Sequence, residues 1–153
     1  MFTKKLDSND SNLLFHLEKI CFIDSYWSLE QIKSHFLINS GIGYFEQNNN
    51  NFLKSTITEV ELKGYLLYLE NNFELEILRF GVIPEKRRTG IAHLLLEELK
   101  KIEKEIFLEV NELNLPAIQL YKKNGFQIIG NRKNYYKEKE DALILKYIPF
   151  KKK

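Results

Sequence analysis

The chain holds a single cysteine, Cys21, among 153 residues. No internal disulfide can form, and no thiolate cluster can hold zinc, so no metal is expected. That usage fits a reduced, cytoplasmic setting. Cys21 falls in the apolar helical pattern Leu13, Leu14, Leu17, Ile20, Cys21, which reads as a core thiol rather than a nucleophile. An excess of one charge is also missing. Lys and Arg number 23 against 21 Asp and Glu, for a net charge of +2. Nucleic-acid binding needs a stronger basic footprint and is not expected. The Lys151–Lys153 tail reads as a solvated terminus. No apolar run approaches membrane-spanning length, and Met1–Leu6 lacks the apolar stretch of a signal peptide. Neither a glycine-rich run ending in Gly-Lys-Ser/Thr nor a G-x-G-x-x-G fingerprint is present.

What remains is ordinary globular composition, 44% hydrophobic and 29% charged. One domain over residues 1–153 is expected. The pattern predicts a strand at Phe2–Leu6, then a helix capped by Asp10 or Ser11 that runs to about Phe22. Ser28 with Gln31 has capping-box spacing and predicts a helix over Leu29–Leu37. Asn48–Asn51 reads as a loop tip between strand-like runs, Ile42–Gln47 and Phe52–Val60, whose pairing stays open. Gly64–Leu69 and Glu74–Val82 read as strands joined by a turn at Asn71-Asn72. Leu75, Ile77, Phe80 and Val82 do not alternate strictly, which predicts a bulge near Arg79–Gly81. Pro84 ends that strand. A helix follows from Gly90 to Lys104, with Ile91, Leu94, Leu95, Leu99 and Ile102 on one face. Ile106–Val110 is a buried strand. Asn114 caps a helix that tolerates Pro116 and ends at Gly125. Phe126–Gly130 and Ala142–Ile148 close the chain. The order gives an α/β (α+β) fold with a central, largely antiparallel sheet.

Two stretches carry chemistry. In Val82–His93 a strand ends, a basic loop follows and a helix begins. The first amides of a helix lack internal partners and sit at the positive end of its dipole, where phosphate binds readily. Gly90 and Ala92 are small, and Arg87 and Arg88 add charge. A plain strand-to-helix turn with a solvated basic loop is the other reading. In the second stretch Glu109 interrupts the apolar run Ile106–Val110, so its carboxylate needs solvent, a cleft or a partner. Tyr121 lies on the next helix as a half-buried anchor. His16 and His35 are expected on helix surfaces. Tyr135 and Tyr136 either line a groove or fill the core.

Arg87-Arg88-Thr89-Gly90-Ile91-Ala92 resembles the Q/R-x-x-G-x-G/A signature of the GNAT acetyltransferase superfamily. Leu108–Asn114, Leu120–Phe126, Arg132–Tyr136 and Glu140–Ala142 resemble its RimI type, the ribosomal-protein alanine acetyltransferases. The likeness runs from about Glu74 to Ile148. It implies a mixed, mostly antiparallel, splayed sheet flanked by helices. It implies acetyl-CoA as cosubstrate, with its pantetheine arm on Phe80, Gly81 and Val82. The pyrophosphate would lie on the amides of Arg88, Thr89, Gly90, Ile91, Ala92 and His93, with Asn114 adding a contact. Glu109 takes the place of the general base and Tyr121 that of the general acid. The implied acceptor is a protein N-terminus, the alanine of the eighteenth small-subunit ribosomal protein. A lysine or small-molecule amine is a second acceptor class, and a non-catalytic acyl-CoA-binding module is a reading of another kind. Tyr26-Trp27-Ser28 departs from the type, because Tyr26 stands where proline is expected.

Overall fold

A computed structural model of the chain describes residues 1–47, 60–136 and 139–150. Strand β1 (Phe2–Leu6) opens the chain. Asp10 occupies the expected cap position of the first helix but makes no side-chain capping bond. The side-chain cap is Asp7, which starts a 3-10 turn, Ser8–Asp10, that precedes the helix. Asp7 Oδ1 accepts from the Asn9 amide at 2.8 Å, and the Asp10 carboxylate returns to the Asp7 amide at 3.1 Å. Asp10 also takes the Lys4 ammonium at 2.9 Å, so its side chain is spent before helix α1 (Ser11–Cys21) begins. Helix α2 (Leu29–Ile38) starts as its sequence predicts. Ser28 Oγ accepts from the Gln31 amide at 3.2 Å, and Gln31 Oε1 accepts from the Ser28 amide at 2.7 Å.

The open pairing resolves simply. Strand β2 (Ser40–Gln47) pairs antiparallel with β1 on one side and with β3 (Val60–Glu70) on the other. The predicted Asn48–Asn51 loop tip, residues 52–59 of the following run and the Lys151–Lys153 tail lie outside the described residues. Asn71 Oδ1 accepts from the amides of Phe73 and Glu74, each at 2.9 Å, and turns the chain into β4 (Glu74–Val82). The predicted bulge exists but sits earlier than Arg79–Gly81. Tyr68 faces Ile77 and Leu67 faces Arg79, so Leu78 is the extra residue. That insertion is why Ile77 and Phe80 both pack into one core.

Helix α3 (Ile91–Lys100) is shorter than the predicted Gly90–Lys104. Gly90 is its cap rather than its first residue. Its C-terminus tightens into bonds from Ile102 to Leu99 and from Glu103 to Lys100, with Glu103 at φ 58°. Leu94 is 47% exposed, and Leu96 takes its place in the core beside Ile91, Leu95 and Leu99. The stripe through residues 91, 95 and 99 leaves position 94 at its margin. Strand β5 (Glu105–Asn111), helix α4 (Leu115–Lys123), β6 (Gln127–Arg132) and β7 (Ala142–Tyr147) follow the predicted order. Asn114 Oδ1 caps α4 through the Ala117 amide at 3.3 Å, and Gly125 ends it at φ 84°.

The seven strands form one sheet in the order β1-β2-β3-β4-β5-β7-β6. Neighbours are antiparallel except β4 and β5, which are parallel. That pair runs only from Glu74↔Glu105 to Ile77↔Leu108. Beyond it β4 follows β3 and β5 follows β7, so the sheet splays. Alternation divides the core. Leu66 and Tyr68 of β3 point into a cluster with α3 and α4, and Tyr65 and Leu67 point into one with α1 and α2. The two helix pairs therefore cover opposite faces.

Ser28→Ala removes one half of the α2 capping box. It lowers stability by about 1 kcal/mol. The melting temperature falls by about 2–4 °C. A thermal melt followed by circular dichroism measures this, and an unchanged midpoint refutes it.

Candidate functional site

The splay begins where the extra residue Leu78 bends β4. Phe80, Gly81 and Val82 pair only with Leu66, Tyr65 and Gly64 of β3. Among the described residues no strand pairs with their other edge, and such an edge bonds readily to an extended ligand. Gly81 is small for a separate reason. A Cβ there would sit 2.8 Å from Cε1 of the Tyr65 ring.

The loop after β4 turns sharply. Pro84–Lys86 form a short 3-10 turn, and Arg88 and Gly90 take left-handed backbone at φ 63° and 93°. Arg87 Nε donates to the Val82 carbonyl at 3.1 Å, and Thr89 Oγ1 donates to the Lys86 carbonyl at 2.6 Å. The first helical bond of α3 runs from the Leu94 amide to Gly90 at 3.0 Å. The amides of Ile91, Ala92 and His93 precede it and have no intrahelical acceptor. No atom lies within 4 Å of where a Gly90 Cβ would be, so the approach is open. Arg87 and Arg88, both exposed, precede it in the loop. The His93 side chain has a role of its own. Its Nδ1 meets Asn124 Oδ1 at 2.7 Å and ties α3 to the end of α4.

Tyr121 and Glu109 stand on opposite faces of the gap. Tyr121 is buried on the α3 and α4 face, with ring centroids 6.3 Å from Phe80 and 5.6 Å from Phe126. Its hydroxyl has no hydrogen-bond partner among the described residues, and burial, then the nearby Tyr136, pushes its pKa up. Leu108 points into the same core, so Glu109, the next residue of β5, turns the other way. Glu109 is one residue past the last β4–β5 pair. Its side chain is 24% exposed and accepts from Arg132 Nη1 at 2.8 Å. Arg132 in turn lies 4.2 Å over the Tyr135 ring. Tyr135 is half-exposed and Tyr136 partly buried, packed edge-on with centroids 5.1 Å apart, so Tyr135 is no core residue. Asn114 is exposed at the start of α4, where its observed partner is the Ala117 amide.

The hairpin between β6 and β7 is drawn in by Asp141. Its carboxylate accepts from Asn131, Lys133 and the Asn134 amide at 3.1, 2.6 and 3.0 Å. The Asp141 amide donates to Glu112 Oε1 at 3.0 Å, which docks the hairpin on the end of β5.

Three features depart from the sequence reading. His35 is 5% exposed rather than on a helix surface. The chain folds back at Ser40 and offers a carbonyl 2.9 Å from His35 Nε2, and Phe36 and Trp27 pack on the ring. Burial lowers its pKa and favours the neutral ring. Glu18 is fully buried and paired with Arg79, a contact between residues 61 apart. Its signal was legible in part, because position 18 falls in the apolar stripe of Leu14, Leu17 and Cys21. Cys21 is partly exposed rather than wholly in the core, and burial pushes its thiol up to about 11. Among the described residues no group of three His, Cys, Asp or Glu is placed to hold a metal ion. No described helix is long and apolar enough to cross a membrane.

Residues 13–126, well over half of the chain, match the acetyltransferase (GNAT) family. An N-alpha-acetyltransferase of Saccharolobus solfataricus is 41% identical over 75 residues, 45% of each chain. The N-alpha-acetyltransferase RimI of Mycobacterium tuberculosis is 39% identical over 67 residues, 42% of each chain. The matched region thus spans just under half the length of these curated relatives. The ribosomal-protein-S18-alanine N-acetyltransferase from Escherichia coli superposes with a TM-score of 0.79 at 23% identity. That superposition covers 99% of this chain and 96% of the other, a likeness of fold.

Burial of the Cys21 thiol has a consequence for its reactivity. With the thiol near 11, about one molecule in a thousand carries a thiolate at pH 8. Labelling of the native protein by a disulfide reagent is expected about two orders of magnitude slower than of the denatured chain. The rate should climb as pH rises toward 11. Equal native and denatured rates would contradict this.

Proposed function

The chain belongs to the acetyltransferase (GNAT) family, and we propose that it transfers acetyl from acetyl-CoA to a protein N-terminal amine. The observation that carries this reading is the gap itself. It has a protonated phenol on one face, a carboxylate on the other, and unpaired helix amides at one end. The relatives named N-alpha-acetyltransferase support the acceptor class.

Acetyl-CoA supplies an activated acyl carbon. The amides of Arg88, Thr89, Gly90, Ile91, Ala92 and His93 hold its pyrophosphate, with Arg87 and Arg88 adding charge. The free edge of Phe80, Gly81 and Val82 pairs with the amides of the pantetheine arm, and an amide there stabilises the oxyanion. Asn114 adds a contact from the start of α4. Glu109 takes the proton of the incoming ammonium, whose pKa is about 7.7–8.0. The nitrogen then bonds to the acyl carbon to form the tetrahedral oxyanion. As it collapses the carbon–sulfur bond breaks, and the nitrogen releases its remaining extra proton to solvent, from which Tyr121 is later reprotonated. Tyr121 keeps its proton at neutral pH and gives it to the departing sulfur. Direct attack needs no covalent enzyme intermediate, which suits a neutral Cys21 thiol. The finer acceptor is the N-terminal alanine of the eighteenth small-subunit ribosomal protein, a cytoplasmic substrate. The run Arg132–Tyr136 supports it, while Tyr26 in place of proline alters the loop that would meet it.

Mass spectrometry after incubation with acetyl-CoA tests the acceptor. The competing substrates are a ribosomal N-terminal peptide, an internal-lysine peptide and a polyamine. Acetyl is expected on the N-terminal amine, and acetyl on the polyamine alone overturns the acceptor.

Glu109→Gln and Tyr121→Phe test the chemistry. Below pH 8 most of the amine is protonated, so the Glu109→Gln deficit is largest at low pH and shrinks as pH rises. A profile parallel to wild type removes Glu109 from the role. Tyr121→Phe is expected to lower kcat about a hundredfold with acetyl-CoA affinity unchanged. Full turnover in that variant removes Tyr121.

A further inference from the structure

Glu18 has no exposed surface and lies among apolar residues of α1. A carboxylate is tolerated there only when its charge and lone pairs are met. Arg79 approaches as a fork, with Nε on Oε1 and Nη2 on Oε2, both at 2.9 Å. The Tyr65 hydroxyl donates to Oε1, and the Trp27 amide donates to Oε2 at 2.8 Å. Arg79 also donates to the Ser25 carbonyl and stacks 3.8 Å from the Phe22 ring centroid. Phe22, Ser25 and Trp27 all belong to the segment 22–28 that joins α1 to α2. One ion pair therefore ties three residues of that crossing to β4.

The place of the pair matters. Arg79 is the first residue of β4 after the inserted Leu78, where β5 has already parted from β4. Phe80 packs with Tyr121, and its neighbour Arg79 turns to the opposite face, the one to which Glu109 also turns. Segment 22–28 is thus pinned beside the gap on the Glu109 side, away from the α3 and α4 cluster. Glu18 also cancels a guanidinium that would otherwise repel an approaching ammonium.

We propose that Arg79 is a positioning residue for the acceptor: through Glu18 it holds segment 22–28 as a preformed wall of the amine-binding site. The wall presents apolar, aromatic and main-chain groups together with one carboxylate, with Tyr26 half-exposed, Ile23 largely exposed and Asp24 exposed between them. Ile23 and Tyr26 offer apolar surface to the side chain that follows the amine. This rests on the acceptor entering from the Glu109 face, as in the proposed function. Buried ion pairs add little net stability, but they select one geometry. A wall ordered in advance spares the acceptor the cost of ordering it.

Arg79→Ala alone strands a buried charge and endangers the fold. The test therefore uses the double variant E18Q/R79M, with R79K beside it. In the double variant the acceptor KM is expected to rise about tenfold, with kcat and the acetyl-CoA KM unchanged. Amides of segment 22–28 should lose about tenfold in hydrogen-exchange protection, while those of β3 and β4 keep theirs. R79K keeps the charge without the fork and should recover part of the acceptor KM. Unchanged protection in segment 22–28 overturns the pinning. An unchanged acceptor KM with a loosened segment overturns its purpose. If the wild-type protein acetylates a small amine and no peptide, the acceptor in the proposed function falls. The same KM comparison, run on that amine, still decides the role of Arg79.

Discussion

Two parallel strands that pair over four positions and then part expose polar backbone on both sides of the opening. In a closed fold such groups need partners, and here nothing in β5 supplies them to Phe80, Gly81 and Val82. The inserted Leu78 bends β4 away at that point and prevents the sheet from zipping further. Most of the site depends on this parting. It frees the β4 edge and aims the strand's end at the start of α3. It also sets Tyr121 and Glu109 on opposite faces of the sheet at the opening, so in the proposed reaction a leaving sulfur and an incoming amine need not compete for space.

Both faces of the opening are held by side chains that are not themselves placed to react. On the Glu109 side, Glu18 and Arg79 hold the segment between α1 and α2, and Asp141 gathers the β6–β7 hairpin against Glu112. On the other side, His93 and Asn124 lock the first turn of α3 to the end of α4. Carboxylates serve well here because each oxygen accepts more than one bond. A single buried side chain can then join elements far apart in the chain. The cost of burying such a charge is several kcal/mol unless it is matched. That cost makes the matched arrangement the only favourable one.

Much of the site was legible in residues that act locally. The Ser28–Gln31 box, the Asn71 turn, the Asn114 cap and the Gly90 and Gly125 positions all bond within a few residues of themselves. The loop proposed to bind the cofactor's phosphates belongs to this class, since its donors are the first amides of one helix. Glu109 and Tyr121 were singled out by their likeness to a motif, which carries a proposed chemistry but no geometry. The misplacements have a common cause. Asp10 lost its cap to a preceding turn, His35 gained an acceptor from a chain reversal, and Leu94 yielded its core place to Leu96. Each was decided by neighbours that periodicity does not contain.

The sequence by itself determined the order of elements, the bounds of most strands and the loop that presents free amides. Backbone hydrogen bonding and side-chain alternation are short-range and repeat with a fixed period. Only the tertiary structure decided where β4 parts from β5, which face each reactive side chain takes, and that Glu18 meets Arg79 across 61 residues. Those outcomes depend on register. A single inserted residue resets which face the strand's later side chains take, and no local preference records it.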